Sequence, residues 1–157
     1  MTEQVLPGRT TVAADDDVVV FLIGMRINRP WRPDAWLPVF LAMPRMLREL
    51  ATDPASGFLG HRLAMGPDGP LVVQYWRRPE DLYRYATDTG GGHRPAWTAF
   101  NRRARRVPGA VGIWHETYAV ARAESVYVDL PLQGLAAATR ARQVTGRLDR
   151  AAARLAG

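Results

Sequence analysis

The chain has no cysteine and no lysine. Without thiols there is no disulfide, no thiolate nucleophile and no cysteine-ligated zinc or iron–sulfur centre. That suits a reducing compartment, and a cytoplasmic protein is expected. Without lysine, arginine alone makes up the basic side of the balance, 21 residues against 15 acidic ones, for a net charge of +6. Heavy use of Arg, Ala and Gly with no Lys marks GC-biased coding, so the charge itself says little about nucleic acid. The arginines also run from Arg9 to Arg154 and form no single stripe. Arg102, Arg103, Arg105 and Arg106 would spread around a helix and read as a solvated end. Neither nucleic acid nor a membrane is an expected partner. Long apolar runs are missing too. "VVVFLIGM" (18–25) is far too short to span a bilayer, and "MTEQVLPGRTTVAADDD" has no apolar leader core. Histidine is scarce, at positions 61, 93 and 115 only. There is no HExxH, no facial-triad spacing and no phosphate loop, so no metal site is expected.

What is present fits one globular domain. A length of 157 residues with 47% hydrophobic and 23% charged content can bury a real core. Residues 1–15 read as a disordered tail. Residues 16–135 read as the domain, and 136–157 as a peripheral C-terminal helix or tail. "VVVFLIGMRIN" is apolar on both faces and reads as a central strand. A helix follows from Asp34, its expected N-cap, with Trp36, Phe40, Met43, Leu47 and Leu50 on one face. Pro44 is expected to kink it. "FLGHRLAM" and "LVVQYWR" read as a hairpin around "GPDGP". "RPEDLYRYATD" and "HRPAWTAFNRRARR" read as helix in two pieces, broken at "TGGG". "VGIWHETYAV" is a strand, and "SVYVDL" a possible fifth.

Strand, helix, strand, strand, helix, strand is a split βαβ order. It predicts an α+β, ferredoxin-like domain with an antiparallel sheet and helices on one face. The first strand is apolar on its other side as well. The simplest cover is a second copy, so a homodimer of face-to-face sheets, a dimeric α/β barrel, is expected.

The motifs "GMRIN", "FLAMPRMLREL", "GFLGHRL", "VQYWRRPEDLYRYA", "HRPAW", "VGIWHETY" and "YVDLP" occur in order from Val18 to Leu135. Together they resemble the small family grouped with the fungal fumagillin-pathway monooxygenase. That family is similar to the dimeric α/β-barrel superfamily, which holds cofactor-independent antibiotic-biosynthesis monooxygenases and, on distant branches, haem enzymes. The resemblance implies the fold more firmly than the chemistry. It implies a monooxygenase-like enzyme of secondary metabolism acting on a small hydrophobic or aromatic substrate, with no cofactor. The quinone-forming monooxygenases of that superfamily place a polar residue and a Trp four apart on a helix. His93 and Trp97 match that spacing, although the polar residue there is an amide rather than His.

On these grounds His93 and His115 are the candidate acid–base residues. His93 shares a helix face with Trp97, and Asn101 continues it. Trp97, Asn101, Trp76, Trp114 and Asn28 are the candidate substrate-binding residues. Alternation in the strand sends Val111, Ile113, His115 and Thr117 one way and Gly112, Trp114, Glu116 and Tyr118 the other. Gln74 and Trp76 share a face by the same rule. His61, alone in a short strand, reads as a solvated or satisfied side chain. Two alternatives stand beside the oxygenase. One is a haem b enzyme on the same fold, resembling aldoxime dehydratases, with His93 or His115 as axial ligand. The other is a non-catalytic dimeric binding protein.

Overall fold

The structure is a computed structural model and describes residues 4–13, 17–88, 90 and 93–156, with backbone only at 93. Its centre is a four-stranded antiparallel sheet. The strands are β2 (Val18–Ile27), β3 (Phe58–Gly66), β4 (Gly69–Trp76) and β5 (Val111–Val120), in the order β3-β4-β2-β5. Helix α1 (Pro33–Thr52) links β2 to β3. Helices α2 (Pro79–Thr87) and α3 (His93–Arg106) lead from β4 to β5. This is the ferredoxin-like α+β fold, with the two most apolar strands in the middle.

Directly opposed residues of an antiparallel ladder share a face. Val19 opposes Trp76, and both pack with Leu50 of α1 and Leu82 of α2. Phe21, Phe58 and Tyr85 complete that cluster. The odd-numbered residues of β2 therefore face the helices. Trp76 is wholly enclosed, so its truncation to alanine would cost about 3–5 kcal/mol. A second cluster joins Ala35 of α1 to Val107, Ala110 and Val111, which fixes the turn from α3 into β5. Helix α3 packs against α1 and α2 and returns antiparallel to β5 through that turn.

The ends of the chain correct the sequence expectation. Residues 6–12 fall in the expected disordered tail, yet they form β1 (Leu6–Val12). It is the middle strand of a second sheet, between β6 (Tyr127–Leu130) and β7 (Ala141–Gln143). The "SVYVDL" strand thus joins this small sheet and not the main one. Thr10, Thr11 and Val12 are buried there. Short α4 (Gly134–Ala138) lies on β3, where Ala138 approaches Gly60. The final helix, α5 (Ala151–Ala156), holds Arg154, which is buried and paired with Glu124 at 2.8 Å.

Asp34 is not the N-cap of α1. That position falls to Arg32, whose guanidinium donates to both carboxylate oxygens of Asp34 at 2.8 and 2.7 Å. The chain enters the helix through Pro33, whose fixed φ suits the first turn. Helix α1 runs unbroken through Pro38 and Pro44. Among the described residues no helix is long and apolar enough to cross a membrane.

Candidate active site

The helix-side face of the sheet can be read as rows across the strands. One row is Phe58, Trp76, Val19 and Ala119. The next is His61, Gln74, Phe21 and Thr117, and the third is Leu63, Val72, Ile23 and His115. The middle row sets polar groups around one aromatic ring. Strands lie about 4.8 Å apart, so three spacings make this floor about 14 Å wide.

His115 projects from the helix-side face of β5 and is exposed. Its ring centroid lies 5.6 Å from that of Phe21, with the planes tilted by 34°. Phe21 thus packs beside an imidazole that keeps exposed surface. His61 stands at the opposite edge of the floor, on β3. Its ring stacks on Phe58 at 5.9 Å and 28°. Burial against that neighbour lowers its pKa below the ordinary 6.5, although the residue keeps exposed surface. The two histidines are too far apart to share a proton.

His61 belongs to this face because of a bulge. The ladder pairs Phe58 with Trp76 and then Gly60 with Tyr75, so Leu59 is the extra residue. Strict alternation would put Phe58 and His61 on opposite faces; one inserted residue brings them together. The signal was Gly60, whose φ of 154° is the kind of backbone that glycine supplies at a bulge.

Gln74 occupies the centre of the floor on β4 and is buried. Its Oε1 accepts a hydrogen bond from Trp76 Nε1 at 3.0 Å. Trp76, expected as a substrate contact, is instead sealed in the core and can act only through Gln74.

Trp97 lies on α3 and is 48% exposed, stacked on Phe100 at 5.4 Å. Asn101 follows one turn later, half-buried. His93 begins α3, and its side chain lies outside the described residues. Trp114 is on the other face from His115, its indole over Gly24, where a Cβ would lie 2.5 Å from the ring. The two cannot line one pocket. Asn28 is exposed just past the end of β2, beside Gly112 and away from the polar row. Among the described residues no three His, Asp or Glu side chains converge as metal ligands.

A cavity of about 560 Å³ opens elsewhere, between the C-terminal end of α1 and helix α2, lined by Glu49, Asp53, Asp81, Arg84 and Tyr85 among others. It contains no histidine. Asp81 is buried and ion-paired to Arg84 at 2.7 Å and Arg78 at 3.5 Å. Burial, with Glu49 and Asp88 nearby, pushes the Tyr85 phenol up to about 12. The phenol is thus held in its neutral form near neutrality, and the Asp81 carboxylate is taken up by its two arginine partners.

Comparison with known proteins places the molecule. The model of the monooxygenase af470-like family matches residues 18–135, three quarters of the chain. The protein belongs to that family and is a monooxygenase-like oxidoreductase. No curated protein matches it. Among solved structures it is similar to SnoaB of Streptomyces nogalater, a cofactor-independent oxygenase. Identity to SnoaB is 17% over 68% of this chain and 96% of that one, with a TM-score of 0.48. A dimeric ferredoxin-like protein of Thermobifida fusca shows 13% identity over 76% and 100% of the two chains, at a TM-score of 0.46. A candidate antibiotic-biosynthesis monooxygenase of Deinococcus radiodurans shows 11% identity over 68% and 94%, at 0.48. Likeness at this level carries no chemistry.

Proposed function

We propose that the protein oxygenates a small, flat, hydrophobic or aromatic substrate of secondary metabolism without a cofactor, with a histidine as acid–base group. The observation that carries this is the setting of His115. An open imidazole stands on Phe21 at the edge of a floor with an aromatic centre and polar sides. Family membership supports the reaction type.

The chemistry needs little from the protein. An activated methylene beside a carbonyl, or a phenol, loses a proton to the imidazole. The resulting anion is electron-rich enough to reduce dioxygen by one electron, and the radical pair combines to a peroxide. The peroxide breaks its O–O bond as the second carbon-bound hydrogen leaves as a proton. One oxygen stays as a new carbonyl. The other departs as water, carrying that proton and the one returned by the imidazolium. The methylene is oxidised by dioxygen, and no outside reductant is consumed. His115 is the base that the described geometry supports, and His93 is the second candidate from its place at the start of α3. Trp97 and Phe100 offer an aromatic wall from the helix layer.

The test is aerobic turnover of anthrone, an enolisable tricyclic ketone, by chelator-treated protein. The expected result is one dioxygen consumed per anthraquinone formed, with no visible chromophore on the protein. His115→Ala should lower turnover by about two to four orders of magnitude with little change in melting. His93→Ala in parallel ranks the second histidine. A Soret band on haem addition that is lost in one histidine variant, together with activity only when haem is bound, would replace this reading by the haem alternative.

A further inference from the structure

We propose that Gln74 is the hydrogen-bond donor that holds the substrate's developing oxyanion, and that Trp76 is the positioning residue that aims it. This rests on the reading that substrate lies on the helix-side face.

Gln74 is only 5% exposed, on an inner strand, between Val72 and Trp76 on its own face. Both neighbours are apolar in bulk, and a third apolar residue would complete the core. An amide there is costly unless both of its ends are used. One end is used by the fold. The indole of Trp76 has a donor and no acceptor, so it can bond only to the amide oxygen. That settles the orientation of the amide on chemical grounds. The nitrogen must then point away from Trp76. It makes no hydrogen bond among the described residues. Nor is it among the sealed orphan atoms, as the Thr11 hydroxyl is. Gln74 therefore presents two N–H donors of fixed direction to the floor. Donors held in advance and largely desolvated complement an anion and not a cation.

Its neighbours fit the task. Gln74 opposes Phe21 across the β2–β4 ladder, and His115 leans on the same Phe21 from the other side. Two strand spacings across the sheet and two residues along it, about 12 Å in all, separate the backbones of Gln74 and His115. A flat ring system over Phe21 would turn its acidic carbon to His115 and its oxygen to Gln74. Proton removal and charge stabilisation would then act at opposite ends of one conjugated system. A neutral donor also leaves the imidazole's basicity intact, as a nearby arginine would not.

The experiment uses the full chain, anthrone as substrate and 1,8-dihydroxyanthraquinone as a coloured phenol probe. Gln74→Met keeps the length of the side chain without donors, Gln74→Leu is a second apolar variant, and Trp76→Phe removes the aiming bond. Thermal melts show which variants are folded. Folded Gln74→Met or Gln74→Leu should lose about 10- to 100-fold in kcat with KM changed far less, as for one lost donor to a forming charge. The bound probe should ionise at lower pH in the wild type than free in solution, and that shift should shrink in both Gln74 variants and in Trp76→Phe. A merely structural glutamine would change melting and leave the probe's ionisation where it was. Normal kcat and an unchanged probe shift in either folded Gln74 variant, with the wild type active, would overturn the role of Gln74 and leave the oxygenase reading standing. A wild type that neither oxidises anthrone nor binds the probe would overturn both.

Discussion

At the scale of residues, period-two alternation already separates His115 from Trp114, and the ladder keeps them apart. The same rule fails at His61, because Leu59 breaks the period. Its consequence can be measured. The folded protein resists protonating His61, since burial lowers its pKa, while the unfolded chain titrates at the ordinary 6.5. Between those values the unfolded state binds more protons, so stability falls as pH drops through that window and levels off below it. In urea denaturation between about pH 5 and 8, His61→Phe should flatten this slope. An identical slope in the variant would show that His61 is not its source. The pair Gln74 and Trp76 could be placed on one face from sequence. That Trp76 would be sealed, with the Gln74 amide nitrogen making no hydrogen bond among the described residues, could not, because it depends on how α1 and α2 close over Trp76.

At the scale of elements, the main-sheet strands and both helical segments were legible because each carries its own periodicity. Strand β1 was not. Its partners are residues 127–130 and 141–143, more than a hundred positions away, and its own face is polar threonine. Burial of Thr10, Thr11 and Val12 means that deleting residues 1–12 should lower the melting temperature by about 5 °C or more. An unchanged melting curve would show that the small sheet adds nothing to the main fold. A sharper case is Gly57, which precedes β3 with φ of 77°, where an added Cβ would lie 2.3 Å from the buried Asp81 carboxylate. Gly57→Ala should destabilise by about 3 kcal/mol or more, since backbone strain and a clash with an ion pair add together. Chemical denaturation with wild-type stability would contradict that packing.

At the scale of the molecule, the two faces of the sheet divide the work. The face away from the helices is covered by this chain's own α4 near β3, where Gly134 and Ala138 approach Arg62, Tyr75 and Gly60. Near β5 it is open, with Trp114 37% and Tyr118 51% exposed. We propose that a second copy covers this open part, since β2 is apolar on that side of the sheet as well. Trp114→Glu should then convert a dimer to a monomer in light scattering while the fold persists. A monomeric wild type at micromolar concentration would remove the dimer. Chemistry on the helix-side face is what the proposed function requires, and two adjacent residues of β5 separate the faces cleanly. His115 and Glu116 are sequence neighbours that point to opposite faces, and Glu116 accepts a bond from the Tyr118 hydroxyl at 2.7 Å. Dioxygen uptake with anthrone should fall by about two to four orders of magnitude in His115→Ala and stay near wild type in Glu116→Gln. Equal losses in both variants, or full activity in His115→Ala, would contradict the account.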